Sequence, residues 1–214
     1  MIKGIIFDLD GTLLNTIEDL ANACNYALTT LGFDTYPVEQ YKTFVGNGRY
    51  KLIERMLPKD KLNNENINKA LELFDNYYEN HMVDMTKPYE GIVDMLDKLK
   101  EKGIKLGVVS NKPHEFTTEV VKSYFDDRFE MVYGHRANNP IKPDPSTVFE
   151  VIDGFKLNKE ECLYVGDSEV DINTAKNAGV KSVGVIWGFR GRGELESAGA
   201  DYLVNKPEEI LRIL

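Results

Sequence analysis

The sequence contains few of the residues that two common kinds of catalytic site need. Only two cysteines, Cys24 and Cys162, and three histidines, His81, His114 and His135, occur in 214 residues. Neither residue type shows metal-binding spacing, and the scattered histidines do not indicate a serine or cysteine nucleophile activated by an imidazole. We therefore expect the two cysteines to be buried free thiols.

An excess of positive charge and a long apolar run are also missing. Lys and Arg number 26 against 35 Asp and Glu, which gives a formal net charge of -9. This balance argues against non-specific binding to nucleic acid or to an anionic membrane. No stretch approaches the length of a transmembrane helix, and the first apolar run is too short for a signal peptide because Asp8 interrupts it. We expect a cytoplasmic monomer or homodimer whose partner is a small molecule.

Continuous apolar segments alternate with helical patterns in most of the chain. Four segments read as buried strands: "IKGIIFD" (2–8), "KLGVVS" (105–110), "CLYVGD" (162–167) and "SVGVIW" (182–187). Such strands are typical of a parallel sheet covered on both faces. Helical patterns cover 92–102, 115–124, 146–152 and 169–178. The alternation predicts an α/β fold with a doubly wound parallel sheet.

One long region interrupts this alternation. Residues 16–86 contain three or four successive helical patterns and no convincing strand. We interpret them as a helical domain inserted after the first strand, with hinges near 14–16 and 87–88. The remaining residues, 1–15 and 87–214, would then form the α/β core domain.

The predicted strands end in polar residues whose side chains suit catalysis or ligand binding. In open α/β sheets, ligands bind outside the carboxyl ends of the strands. The residues expected there are Asp8, Asp10, Ser110, Asn111, Lys142, Asp167 and Asp171. Four carboxylates would face the single ammonium group of Lys142, so three negative charges need compensation. A Mg²⁺ ion, which binds through a few carboxylate oxygens and keeps several waters, would supply most of it.

Four segments carry a family resemblance across nearly the whole chain. In this order, "DLDGT", "SNKP", "IKPDP" and "GDSEVDI" resemble the four motifs of the haloacid dehalogenase-like superfamily, within its phosphatase branch. The resemblance implies a Rossmann-like core, an aspartyl-phosphate mechanism and a helical cap, residues 16–86, that moves over the site.

The resemblance also assigns roles to the two aspartates of the first motif. Asp8 would attack the phosphoryl group, and Asp10 would protonate the leaving oxygen and later accept a proton from water. The Asp8 side chain, the Asp10 carbonyl and the Asp167 side chain would hold Mg²⁺, which screens the nucleophile from the anionic substrate.

The other motif residues would bind and orient the phosphoryl group. Ser110 and Lys142 would contact its oxygens, with Asn111 assisting, because positioning and charge stabilisation dominate phosphoryl transfer. Asp171 would orient Lys142 or a metal-bound water, although an aspartate at a helix start is often only a cap.

The cap segment "VGNGR" (45–49) bears on the substrate. "VGNG", together with "KPYEGI" (87–92), resembles phosphoglycolate phosphatases, so Gly46, Asn47 and Arg49 are candidates for substrate contact. Arg49 departs from that pattern, and an arginine near this cap position is similar to the pattern of β-phosphoglucomutases. It would clamp a substrate carboxylate or second phosphate, or else lie exposed at a helix start. Arg190 and Arg192 belong to a Gly-Arg-Gly loop that we expect to be exposed.

The favoured function is a Mg²⁺-dependent phosphatase acting on a small phosphorylated metabolite, most like phosphoglycolate phosphatase. The alternatives are β-phosphoglucomutase-like phosphoryl transfer and an inorganic pyrophosphatase on the same fold. A non-catalytic binding protein is a third alternative, but such a protein is expected to lose its nucleophile or metal ligands. Asp8, Asp10, Lys142 and Asp167 are all present.

Overall fold

The computed structural model describes residues 1–214 and shows a six-stranded parallel sheet. The strands in chain order are Gly4–Phe7 (β1), Leu14–Asn15 (β2), Lys87–Pro88 (β3), Lys105–Pro113 (β4), Met131–His135 (β5), Cys162–Gly166 (β6), Lys181–Val185 (β7) and Tyr202–Val204 (β8). The sheet has the order β5-β4-β1-β6-β7-β8, and β2 and β3 form a separate two-stranded ribbon. All neighbours in the large sheet run parallel, which confirms the predicted fold class.

Nine α-helices accompany the strands. They are Ile17–Thr30 (α1), Val38–Phe44 (α2), Gly48–Met56 (α3), Asn64–His81 (α4), Ile92–Glu101 (α5), His114–Phe125 (α6), Ser146–Phe155 (α7), Glu169–Ala178 (α8) and Arg192–Ser197 (α9). Short 3₁₀ turns follow at 59–61, 159–161 and 207–212. None of the helices has the length and apolar character that crossing a bilayer requires.

The sheet buries both of its faces, as the apolar strands require. Side chains alternate along β1, so Ile6 faces one side while Ile5 and Phe7 face the other. Ile6 belongs to a smaller core with residues of α7 and α8. Ile5 and Phe7 belong to a larger core that includes residues of α5 and α6 and extends into the helical insert. Cys24 and Cys162 are buried and free, as predicted.

Helices α1 to α4 form the insert between β1 and β3. Their central contact is the packing of α1 against α4, where Ala27, Ala70 and Phe74 are buried. The antiparallel pair of β2 and β3 joins Leu14 to Pro88 and Asn15 to Lys87. This ribbon lies where the sequence places the two hinges, and a division into core (1–15, 87–214) and cap (16–86) remains our proposal.

Two strands of the large sheet were not predicted. β5 has four half-buried residues out of five, and β8 has only three residues, with a single one fully buried. Both lie at the edges of the sheet. Edge strands are covered less completely than central ones, so their sequences lack the continuous apolar run that revealed the other strands.

Candidate active site

Asp8 and Asp167 come together because β1 and β6 are neighbours in the sheet. The Asp8 backbone N–H donates to the Val165 carbonyl at 2.8 Å, which fixes Asp8 one residue beyond the end of β1. Gly11 then turns the chain with φ of +91°. A Cβ atom at this position would overlap the Asp167 carboxylate, so only glycine lets the turn approach so closely.

A buried ammonium group joins the first and the last motif. Lys142 Nζ lies 2.6 Å from Asp8 Oδ1 and 2.8 Å from Asp171 Oδ1. The three side chains are almost completely shielded from water, with 5%, 9% and 2% of the respective side chains exposed. An ion pair at this depth is weakly screened, so the lysine fixes the position of both carboxylates.

Asp171 is both a helix cap and a partner of Lys142. Its Oδ2 accepts hydrogen bonds from the Ser168 backbone N–H at 3.2 Å and from the Ser168 hydroxyl at 2.6 Å, which closes a capping box at the start of α8. The other oxygen contacts Lys142. The two interpretations that the sequence left open therefore describe one arrangement, in which the cap holds the carboxylate rigid against the lysine.

Ser110 and Asn111 lie at the end of β4, beside Lys142. The Ser110 hydroxyl oxygen accepts the Lys112 backbone N–H at 3.2 Å, and its own hydrogen has no acceptor in the protein. The Asn111 side chain is already engaged: it accepts the Lys142 N–H at 2.8 Å and donates to the carbonyls of Lys142 and Gly46. Ser110 is thus free to donate to a ligand, whereas Asn111 fixes the lysine loop and contacts the insert.

Sequence reasoning missed Lys112, which lies at the centre of the site. Its Nζ is 2.6 Å from Asp10 Oδ1, and only 4% of the side chain is exposed. The Thr16 hydroxyl donates to the same Asp10 oxygen at 2.7 Å. The signal was present in "SNKP", since a lysine two residues after Ser110 has the same strand parity and faces the same side. The count of one ammonium group against four carboxylates is therefore wrong, and the correct number of ammonium groups is two.

The carboxylates are strongly perturbed by burial and by one another. Burial raises the pKa of Asp8 to about 7, with repulsion from Asp171 adding to the rise and Lys142 opposing it. Burial, followed by repulsion from Asp171 and Asp8, also holds the pKa of Asp167 well above its usual range. Burial alone would lower the pKa of Lys142, but the neighbouring carboxylates of Asp171 and Asp8 outweigh it and raise the pKa.

This cluster fits a divalent cation. Ligand oxygens of Asp8, Asp167 and Asp171 lie within 4.8 Å of one another, and all three residues are buried. Both Asp171 oxygens already accept hydrogen bonds, and Asp167 Oδ2 accepts the Phe189 N–H at 2.6 Å. Asp167 Oδ1 has no partner, and Asp8 Oδ2 accepts only a long hydrogen bond of 3.5 Å from the Thr12 hydroxyl, so both remain available as hard oxygen ligands. Four aspartates against two lysines also leave two negative charges, which one divalent ion would balance.

The three cap candidates lie in different surroundings. Gly46 and Arg49 line the cleft between core and insert, whereas Asn47 accepts a hydrogen bond from Arg55 at 2.7 Å. Arg49 is the second residue of α3 and forms an ion pair with Asp75 of α4, and 43% of its side chain is exposed. Its guanidinium is therefore neutralised within the insert.

Arg190 contradicts the expectation of an exposed loop. Only 18% of its side chain is exposed, and its guanidinium donates to the carbonyls of Lys42 and Val45 at the end of α2. Arg192 agrees with the expectation, because it begins α9 with 49% of its side chain exposed. The Arg190 guanidinium lies at the carboxyl end of α2, where the helix dipole is negative, and this attraction explains why the side chain folds inward.

Comparisons with known proteins agree with this architecture. The model of the haloacid dehalogenase-like hydrolase family matches residues 5–185. Phosphoglycolate phosphatase of Aquifex aeolicus is 33% identical over 214 residues, covering 100% of this chain and 97% of the relative. The phosphoglycolate phosphatase of Vibrio parahaemolyticus is 32% identical, covering 100% and 96%.

A solved structure gives the same picture in three dimensions. A crystal structure from Lactobacillus delbrueckii, provisionally named a phosphoglycolate phosphatase, superposes with a TM-score of 0.94 at 33% identity. The match covers 99% of this chain and 97% of that one. The chain belongs to the haloacid dehalogenase-like hydrolase family, as an enzyme of its phosphatase branch.

Proposed function

We propose that the protein is a Mg²⁺-dependent phosphomonoesterase that forms a phospho-aspartate on Asp8, with 2-phosphoglycolate as the first candidate substrate. The observation that carries the proposal is the buried Asp8 carboxylate, held 2.6 Å from Lys142 in a cleft lined by core and insert. A buried carboxylate held by an ammonium group is oriented and partly desolvated, as a nucleophile requires.

Asp8 and Asp10 perform the bond-making steps in this mechanism. One carboxylate oxygen of Asp8 attacks phosphorus while the other is left for the metal, the P–O bond to the leaving group breaks, and Asp10 transfers its proton to the departing oxygen. In the second step Asp10 takes a proton from water, whose oxygen attacks the phospho-aspartate and releases inorganic phosphate and the free Asp8 carboxylate. Asp10 is thus reprotonated for the next cycle.

Ser110 and Lys142 supply the charge stabilisation. Ser110 has a free hydroxyl hydrogen, and Lys142 lies against the nucleophile, so both are placed to bind the transferring phosphoryl oxygens. Asn111 supports this group indirectly, because its side-chain amide fixes both the N–H and the carbonyl of Lys142.

Mg²⁺ is the proposed metal, and Asp8 and Asp167 are its proposed side-chain ligands, with the Asp10 carbonyl completing the protein contribution. When bound, the ion neutralises negative charge between the nucleophile and an anionic substrate. The buried carboxylates of Asp8 and Asp167 and the excess of two negative charges support this assignment.

A small phosphorylated metabolite is the proposed substrate class. The relatives named phosphoglycolate phosphatase support the choice of 2-phosphoglycolate. Arg49, which suggested the mutase alternative, already pairs with Asp75 and gives that alternative no further support. The mutase and pyrophosphatase alternatives are therefore outcomes of the substrate test. A cytoplasmic location and a monomeric or homodimeric state remain predictions.

The test is Mg²⁺-dependent phosphate release from 2-phosphoglycolate, pyrophosphate, β-glucose 1-phosphate and other small phosphate esters. We expect Asp8→Asn to abolish turnover, while Asp153→Asn, which changes an exposed aspartate of α7, leaves it unchanged. EDTA should remove the activity and Mg²⁺ should restore it. Turnover that survives Asp8→Asn would refute the nucleophile, and a preference for pyrophosphate would replace the proposed substrate.

A further inference from the structure

Lys112 is a buried cation that the mechanism above does not use. It lies near the end of β4, directly after the phosphate-binding candidates, yet its ammonium group contacts Asp10 at 2.6 Å and not the carboxylates that Lys142 binds. Only 4% of its side chain is exposed. Burying a second lysine costs free energy unless its charge is paired and hydrogen-bonded, so its partners indicate what it does.

The first partner is one particular oxygen of Asp10. Lys112 Nζ and the Thr16 hydroxyl both donate to Asp10 Oδ1, at 2.6 and 2.7 Å. Asp10 Oδ2 has no hydrogen-bond partner in the protein. An ammonium group can only donate, so a proton on this carboxyl group must reside on Oδ2. The contact therefore fixes the rotation of the carboxyl group and selects the oxygen that carries the proton.

The second partner comes from the insert. The Lys112 ammonium lies 5.0 Å from the ring centroid of Tyr78, a residue of α4 that is 1% exposed. The Tyr78 ring stacks on Phe74 and meets Phe116 of the core edge to face. The ammonium lies over the ring face, and the Tyr78 hydroxyl is buried without a hydrogen-bond partner.

We propose that Lys112 is a positioning residue for Asp10, held in place by Tyr78 of the insert. Lys112 fixes Oδ1 so that Oδ2 faces the ester oxygen. As the P–O bond breaks and Asp8 gains the phosphoryl group, the proton passes from Oδ2 to that oxygen. Because the ring of Tyr78 belongs to α4, the acid is correctly oriented only when the insert is seated on the core. The inference rests on the proposed role of Asp10 as general acid.

Leaving groups that differ in their need for a proton test this role. The alkoxide leaving group of 2-phosphoglycolate must be protonated, whereas the carboxylate that leaves acetyl phosphate needs no proton. The quantity to compare is kcat/KM with Mg²⁺ present, since it reports the steps up to the first irreversible one and is not masked by slow hydrolysis of the intermediate. We expect Asp10→Asn to reduce kcat/KM for 2-phosphoglycolate by about 10²–10⁴-fold and to affect acetyl phosphate much less.

Lys112→Met removes the ammonium group while retaining most of the aliphatic chain. We expect a loss of about 10-fold or more with 2-phosphoglycolate, within the range of general acid catalysis, and a change of less than about threefold with acetyl phosphate. Added to Asp10→Asn, the substitution should cause no further loss with 2-phosphoglycolate. Tyr78→Leu should show the same selectivity to a smaller degree. Lys122→Met, at an exposed lysine of α6, is the matched control and should change neither rate.

The outcomes separate the inference from the function on which it rests. Equal losses with both substrates, or none, in Lys112→Met would overturn the positioning role. If Asp10→Asn itself shows no selectivity, the general acid is misassigned and the proposed function is corrected first. Should Lys112→Met fail to fold, Lys112→Gln replaces it; because its amide fills the space and can donate to Asp10, we expect a smaller loss that is still confined to 2-phosphoglycolate.

Discussion

The buried carboxylate of Asp19 fixes the point where the insert returns to the core. It lies in the first turn of α1 and is 1% exposed. The Met85 N–H is shared between its two oxygens at 3.0 and 3.1 Å, and the Thr86 N–H donates to Oδ2 at 2.8 Å. Asp19→Ala would remove the acceptor of both backbone groups, immediately before β3.

The cost can be worked from these contacts. A hydrogen bond to a charged group contributes about 1.5–3 kcal/mol, so two donors lost together predict a decrease of about 3–6 kcal/mol in the free energy of unfolding. This is a large part of the ~5–15 kcal/mol that stabilises a typical protein. Asp19→Asn keeps one acceptor oxygen and turns the other group into a donor, so we expect about half of that loss.

Urea unfolding followed by the fluorescence of the single tryptophan, Trp187, and by circular dichroism measures the effect. Glu18→Ala is the matched control, because Glu18 occupies the same helical turn but is exposed. We expect that control to change the free energy of unfolding by at most about 0.5 kcal/mol. A loss for Asp19→Ala within about 1 kcal/mol of the control would refute the reasoning, since the backbone groups would then not depend on the carboxylate.

Four further predictions concern the site. Because burial raises the pKa of Asp8 to about 7, the metal-free protein should become less stable as the pH rises from about 4 to 7. In this range the folded state binds more protons than the unfolded state. Mg²⁺ should therefore raise the melting temperature more at pH 8 than at pH 5.5, and Asp8→Asn should reduce this difference, because the raised pKa of Asp167 still contributes to it. Lys142→Met should lower kcat/KM by at least about 10²–10³-fold, the loss typical of enzymes from which one transition-state-stabilising donor is removed. Steady-state kinetics would show it. Arg190→Ala should lower kcat/KM by about 10-fold through loss of its charged hydrogen bonds to the insert, while Arg192→Ala has no effect on the same assay. Gly11→Ala should lower the melting temperature and weaken Mg²⁺ binding measured by calorimetry, because φ of +91° disfavours any side chain. Unchanged values in any of these measurements would contradict the corresponding contact.

The strength of the apolar pattern decided how much of the fold could be predicted. β1, β4, β6 and β7 are central or well covered strands, and their continuous apolar runs identified them. The helical insert was identified because its amphipathic patterns interrupt that series. β5 and β8 escaped because an edge strand has fewer covered positions, and the two-residue ribbon of β2 and β3 is too short to have a pattern.

The site residues that belong to sequence motifs were predicted, whereas the residue whose role depends on a tertiary contact was missed. Asp8, Asp167 and Lys142 belong to recognisable motifs at strand ends. Strand parity within "SNKP" could have placed Lys112 on the side of Ser110, but its burial depends on Tyr78 of α4, which lies 34 positions earlier in the sequence. No local pattern indicates that a lysine will be covered by a helix from another part of the chain.

The contacts between core and insert suggest how the site combines a fixed closure with a variable substrate preference. Arg190 and Asn111 bind the insert through the main-chain carbonyls of Lys42, Val45 and Gly46. A carbonyl is present whatever the side chain, so these contacts do not depend on the side chains of Lys42 and Val45, whereas Gly46 has a φ of +115° that favours glycine. Arg49 lines the same cleft but takes no part in these contacts, so its replacement leaves them intact. Arg49→Ala should accordingly alter the ranking of substrates in the phosphate-release assay without producing the uniform loss expected for Arg190→Ala. A uniform loss in both variants would show that closure and substrate choice are not separable.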